Sequence, residues 1–176
     1  MGAAILARKK AYNVRITSIG KITEKNKSYL DELGVIYEEE AHSIALIDWS
    51  HLIIKSPGIQ STIPCILEAK KQCKQVISEI EFASSFTKAH IIAITGTNGK
   101  TTTSSLLYYI LSEAGFNVDL VGNIGRSFSE SVAHQTYEYY VLELSSFQLE
   151  DIVDFKPDIS ITVSYTHLTL PTSYAV

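Results

Sequence analysis

The chain predicts an α/β fold with parallel sheets, on three observations. Short apolar runs such as Leu52-Ile53-Ile54-Lys55 and Ile91-Ile92-Ala93-Ile94 alternate with segments of helical period, the pattern that layers helices on a parallel sheet. A glycine-containing turn, Thr95-Gly96-Thr97-Asn98-Gly99-Lys100-Thr101-Thr102, joins one such run to a strongly patterned helix. The composition, 45% hydrophobic and 19% charged over 176 residues, is that of an ordinary globular chain. It excludes wholesale disorder, collagen-like repeats and a disulfide scaffold.

The elements follow in order. Residues 3–11 read as a helix and Asn13 to Ile19 as a strand. A helix over 24–33 carries Leu30 and Leu33 on one face and stops at Gly34, a residue suited to the left-handed turn after a helix. Ile44 to Ile47 is expected to be a short strand. Leu52 to Lys55 is another, broken at Ser56-Pro57-Gly58. The next helix takes Thr62 as N-cap and Pro64 in its first turn. A strand at 75–78 precedes a linker-like segment, Ser84 to His90.

Beyond the linker, Ile91 to Ile94 is a buried strand feeding the glycine turn. The helix after it bears Leu106, Leu107, Ile110, Leu111 and Ala114 at i, i+1, i+4, i+5 and i+8, one apolar face, and closes at Gly115. Strands at 117–121 and 139–144, a short helix near 147–153 and a strand at 158–163 complete the pattern. The break near 84–90 divides the chain into two α/β domains, residues 1–87 and 88–163.

Charge and cysteine content narrow the setting. Fifteen basic and nineteen acidic residues leave a formal charge of −4, with no overall basic footprint for nucleic acid or an anionic membrane. Cys65 and Cys73 have no Cys-x-x-Cys or histidine company, so they read as reduced thiols of a cytosolic protein and not as zinc ligands. No signal peptide is expected, because the first apolar run is short and is followed, not preceded, by Arg8-Lys9-Lys10. No run approaches the roughly 18 apolar residues of a membrane span.

The segment 95–102 carries the chemistry. Gly96 and Gly99 allow positive φ and close approach to an anion. The backbone N–H groups of Gly96, Thr97, Asn98, Gly99, Lys100, Thr101 and Thr102 then gather at the positive end of a helix, a phosphate cradle. Lys100 can neutralise β- and γ-phosphate oxygens, and the Thr101 hydroxyl can ligate magnesium. Ile94 stands where a full Walker A pattern has its first glycine, so the loop is a shorter variant. The competing reading is a plain strand-to-helix turn of small residues.

Other segments join it at the sheet edge. Tyr140-Val141-Leu142-Glu143-Leu144-Ser145-Ser146 ends a buried strand with an acid. In an open parallel sheet that end faces the ligand crevice, and a carboxylate there can hold magnesium or its water. Asn123, in Gly122-Asn123-Ile124-Gly125, is either a turn residue or an amide offered to a ligand. Ser56-Pro57-Gly58 reads equally as a β-turn or a ligand loop. Glu38-Glu39-Glu40 is expected to be a solvated turn. His42, His51, His90 and His134 are assigned no chemistry.

Taken in this order, these segments resemble the Mur ligases. The Thr-Gly-Thr-Asn-Gly-Lys-Thr loop at 95–101 is shared by the superfamily, including folylpolyglutamate synthases. Ser56-Pro57-Gly58-Ile59, Gly122-Asn123-Ile124-Gly125 and Leu142-Glu143-Leu144-Ser145-Ser146-Phe147-Gln148-Leu149-Glu150 resemble the branch that adds D-glutamate. The resemblance covers roughly residues 2–163.

It implies a Rossmann-like N-terminal domain for a UDP-sugar, then the first part of a P-loop ATPase domain. The implied activity joins D-glutamate to UDP-N-acetylmuramoyl-L-alanine through an acyl phosphate, with ATP and Mg2+, in cytoplasmic peptidoglycan synthesis. Lys100 and Glu143 would be catalytic, and Thr101 and Glu143 would hold metal. Ser56, Pro57, Gly58, Asn123 and Ser145 would bind the UDP-sugar substrate. A monomer without nucleic-acid partners or membrane insertion is expected.

The departures from the family pattern are specific. Ser18 stands where the family usually has an acid on the uracil side. The family's first strand precedes its first helix, and here the chain is expected to lack it. Residues 164–176 are expected to be a non-native tail, so the family's metal-binding histidine is not carried onto His167. The 176-residue chain is accordingly expected to lack ligase activity alone. Two alternatives remain: another P-loop ATPase of the superfamily, and a nucleotide-binding remnant without catalysis.

Overall fold

The computed structural model describes residues 1–164. Its first half runs α1 (Gly2–Lys9), β1 (Arg15–Ser18), α2 (Glu24–Glu32), β2 (Ile36–Glu39), α3 (Ile44–Trp49), β3 (Leu52–Lys55), α4 (Pro64–Lys71), β4 (Gln75–Ser78) and α5 (Glu79–Ser84). The second half runs β5 (His90–Thr95), α6 (Lys100–Glu113), β6 (Val118–Gly122), α7 (Phe128–His134), β7 (Tyr139–Glu143), α8 (Ser146–Leu149) and β8 (Ile159–Thr162).

All strand pairs are parallel, as the alternating pattern requires. The second half forms a four-stranded sheet in the order β6-β7-β5-β8. Its central strands are buried on both faces, which is why Tyr140-Val141-Leu142 reads as continuous apolar sequence and not as alternation. The register sets Ile94 and Gly122 opposite Glu143, and Thr95 opposite Thr162. Four strand ends therefore share one edge of the sheet. The first half holds two separate parallel pairs, β1-β2 and β3-β4. The consecutive residues of both β1 and β3 line one cavity.

One hydrophobic cluster unites the halves. Leu6 and Ala7 of α1, with Ile77, Ile80 and Phe82, pack in it with Phe128, Tyr140 and Leu142. Edge-to-face rings at 5.0 Å, Phe82 on Phe86 and Phe128 on Tyr140, add directional contacts to the area buried. Gly2 shows how closely α1 approaches α7: a Cβ there would lie 1.9 Å from Ser127 Oγ.

Several elements differ from the sequence expectation. Residues 44–49 are helical, not a strand. A short apolar run has no period that separates the two. Here Ile47 packs on Cys65, Ile66 and Ala69, and Lys74 Nζ donates to the terminal carbonyls of Ile47, Asp48 and Ser50, a cation at a helix C-terminus. The α4 helix takes Ile63, not Thr62, as N-cap.

The apolar face of α6 is narrower than expected. Leu107 and Leu111 pack against the sheet, whereas Leu106 and Ile110 are 57% and 52% exposed. The acid run at 38–40 is not a solvated turn. Glu38 Oε2 accepts the Ser43 N–H at 2.9 Å, and Glu39 accepts the Ile22 N–H at 2.6 Å and pairs with Lys27 at 2.9 Å. The expected tail lies outside the described residues except for Ser164.

Candidate functional site

The phosphate-type loop is built as its residues dictate. β5 ends at Thr95, and α6 starts at Lys100. Between them Gly96 and Gly99 take φ of 143° and 80°, values that an L side chain rarely adopts. The first N–H groups of α6 have no intrahelical acceptor and face the loop's concavity. Lys100 folds back over the loop, its Nζ donating to Gly96 O at 2.7 Å and Thr97 O at 3.2 Å. Ser164 sits against this loop: the Thr97 N–H donates to its carbonyl at 2.9 Å and the Asn98 N–H to its Oγ at 2.8 Å.

Glu143 is the hub of the site. Its side chain is wholly buried, and a buried carboxylate is stable only when hydrogen-bonded. Oε1 accepts from the Asn123 side-chain amide at 3.0 Å and the Thr101 hydroxyl at 3.4 Å, and Oε2 accepts from Ser104 Oγ at 3.0 Å. The Asn123 N–H also donates to Glu143 O at 2.9 Å. This contact depends on Gly122. With φ at 107°, a Cβ there would stand 2.3 Å from Glu143 O, so only glycine lets the β6 end approach β7.

This donor set fits a hard divalent cation that keeps water and phosphate oxygens among its ligands. It offers one carboxylate and neighbouring hydroxyl and amide oxygens, which is how magnesium is usually held. Among the described residues no cluster of three or more His, Cys, Asp or Glu could cage a metal.

A cavity of about 850 Å³ opens beside Asn123, the amide partner of Glu143. Ser56, Pro57, Asn123 and Ser145 all line it, so residues from three distant segments converge there. The Ser56-to-Ile59 segment is a β-turn closed by the Ile59 N–H on Ser56 O at 3.0 Å. Gly58 lies in that turn but not on the cavity wall. Ser145 opens α8, its N–H and Oγ both donating to Gln148 Oε1 at 2.9 and 3.1 Å.

The model of the Mur ligase middle domain matches residues 94–170, and that of the MurD N-terminal domain matches residues 3–63. The chain belongs to the Mur ligase family. It is 45% identical over 165 residues to the UDP-N-acetylmuramoylalanine–D-glutamate ligase of Bacteroides fragilis, covering 94% of this chain and 37% of that protein. The Porphyromonas gingivalis ligase of the same name is 45% identical over 166 residues, with the same coverage. This chain thus spans just over a third of the curated relatives it matches.

Among solved structures, the murein peptide ligase mpl of Psychrobacter arcticus superposes with a TM-score of 0.57 at 23% identity, over 93% of this chain and 40% of that one. At that identity the likeness speaks for the α/β fold of the Mur ligases.

Lys100, Thr101, Glu143 and Asn123 come together at one sheet edge, and Ser56, Pro57 and Ser145 share the adjoining cavity. Asn123 turns its amide onto Glu143 and so belongs to both. Ser104 was missed by sequence reading, although it lies one helical turn beyond Thr101 and shares its face. Lys55 and Asp151 were missed as well. Their Nζ–Oδ2 ion pair at 2.7 Å, with 1% and 15% side-chain exposure, joins residues 96 positions apart, and no local pattern marks such a pair. His42 also has a partner, Thr17 Oγ1 at 2.5 Å, and both residues line the cavity.

Proposed function

We propose that the chain carries the UDP-sugar-binding and ATP-binding parts of a ligase that adds D-glutamate to UDP-N-acetylmuramoyl-L-alanine in peptidoglycan synthesis. The observation that carries this reading is Glu143 and its partners. One buried carboxylate binds Thr101 of the phosphate loop and Asn123 of the neighbouring cavity, so a nucleotide and a second substrate would meet there. The names and identities of the relatives support the choice of D-glutamate as the added residue. Within this reading, residues 1–87 form the UDP-sugar domain and 88–163 the ATPase portion. The setting is cytoplasmic and the chain monomeric.

Bound Mg-ATP would supply the phosphoryl group that activates the substrate's carboxylate. The chain's own residues position and neutralise. The loop N–H groups from Gly96 to Thr102 orient the phosphates, those of Thr97 and Asn98 exchanging Ser164 for phosphate oxygens. Lys100 leaves its carbonyl partners to offset charge on the transferring group. Thr101 and Glu143 supply the oxygen ligands for magnesium, and Ser104 and Asn123 hold Glu143 in place for that task. Ser56, Pro57, Asn123 and Ser145 seat the UDP-sugar so that its carboxylate points at the loop, and Gly58 shapes the turn behind them.

Calorimetric titration with Mg-AMP-PNP tests the nucleotide half. The chain should bind one equivalent, and Lys100→Met should lose most of the affinity while keeping its melting temperature. Equal binding by both chains would remove Lys100 from the phosphate site. No binding by either would overturn the ligase reading in favour of a plain strand-to-helix turn.

A further inference from the structure

Resting on the ligase reading, we propose that Lys55 is a positioning residue that couples the UDP-sugar cavity to the ATP site through Asp151. Lys55 closes β3 and immediately precedes the Ser56–Ile59 turn. Its side chain is 1% exposed, and Nζ donates to Ile59 O at 2.6 Å as well as pairing with Asp151. Lys55 therefore holds the turn at both ends, by its own backbone and by its ammonium on the Ile59 carbonyl. With its side chain 1% exposed and its Nζ engaged by Asp151 and the Ile59 carbonyl, Lys55 acts through the turn.

Asp151 belongs to the other half of the site. It follows α8, which opens at Ser145, two residues beyond Glu143. Its carbonyl accepts the Ser78 N–H at 3.3 Å. Just downstream the N–H groups of Val153, Asp154 and Phe155 all donate to the Glu81 carboxylate at 2.9–3.1 Å. The turn after α8 is thus anchored to the first half of the chain, and Lys55 reads its position. A shift of Glu143 on nucleotide binding would pass along α8 to Asp151, then to Lys55 and the Ser56–Ile59 turn.

Stability alone does not explain the pair. An apolar pair of matching volume usually serves a core as well as a buried salt bridge or better. What the ions add is a fixed geometry between two segments that each face a substrate.

The test is calorimetric titration of UDP-N-acetylmuramoyl-L-alanine, with and without saturating Mg-AMP-PNP, on the full chain and on Lys55→Met and Asp151→Asn. The unsubstituted chain should bind the UDP-sugar about tenfold more tightly when the nucleotide is present, within the range of ordinary coupling. Both variants should bring that ratio close to one. A purely structural pair would lower the melting temperature and leave the ratio unchanged, which would overturn the proposal. Asp151→Asn keeps shape and volume, so wild-type coupling in that variant overturns it even if Lys55→Met misfolds. Failure of the unsubstituted chain to bind the UDP-sugar would instead overturn the ligase reading, and the Lys55 role with it.

Discussion

Gly122→Ala tests the geometry around Glu143 at a single atom. The added methyl meets two penalties. A residue with a side chain at φ of 107° costs about 1–2 kcal/mol in backbone strain. A Cβ 2.3 Å from Glu143 O and 2.9 Å from Leu142 Cδ1 must push β6 from β7, a further cost of about 1–3 kcal/mol. The sum, about 2–5 kcal/mol, corresponds to a fall in melting temperature of roughly 4–20 °C for a chain of this size.

Gly115→Ala is the control. Its φ is 85° and nothing lies within 4 Å of the added Cβ, so it carries only the strain, about 1–2 kcal/mol. Urea unfolding of both variants gives the difference directly, and Mg-AMP-PNP titration reads the consequence for Glu143. Gly122→Ala should lose both stability and nucleotide affinity, and Gly115→Ala should lose a little stability alone. Equal stability of the two variants would refute the close approach of Gly122 to Glu143.

Two further outcomes follow from the same structure. Ser104→Ala removes the donor to Glu143 Oε2 and leaves a buried carboxylate oxygen unpaired, which should cost about 1–3 kcal/mol in urea unfolding and weaken Mg-AMP-PNP binding. Burial pushes the Glu79 carboxyl above its usual 4.5, against the opposing effect of Ser129. A raised carboxyl favours the folded state below pH 4.5 and loses that contribution as pH climbs through the raised value. Glu79→Gln keeps an acceptor for the Ser129 N–H, so its stability should decline less than the parent's from pH 4.5 upward. Identical pH profiles in thermal melts would contradict this.

The phosphate loop was legible because its chemistry is local. Glycines, lysine and threonine must stand at fixed spacing, and the flanking strand and helix announce themselves by period. Glu143 was legible as the last residue of a buried strand. Elements such as α3, α5, α7 and β2 were harder to read. They are four to seven residues long, too short to show a period, and tertiary partners such as Cys65, Ile66 and Ala69 for Ile47 decide their state.

The hydrogen-bond partners of the site were the least legible. Ser104 shares a helix face with Thr101, a relation that spacing could have suggested. Lys55 and Asp151 meet only because α8 and its following turn fold back onto β3. Leu106 and Ile110 lie on the side of α6 turned from the sheet, because α6 meets the sheet through a stripe narrower than its apolar pattern.

The central claim is that a nucleotide and a UDP-sugar meet at one edge of the parallel sheet. Backbone amide chemical shifts of the isotopically labelled chain test it most directly, recorded on adding Mg-AMP-PNP and then UDP-N-acetylmuramoyl-L-alanine. The first addition should move Gly96, Gly99, Lys100 and Thr101, and the second Ser56, Asn123 and Ser145, while His90 and Glu138 at the opposite end of the sheet stay still. Shifts centred on His90 and Glu138, or none at the Ser56–Asn123–Ser145 cavity, would contradict it.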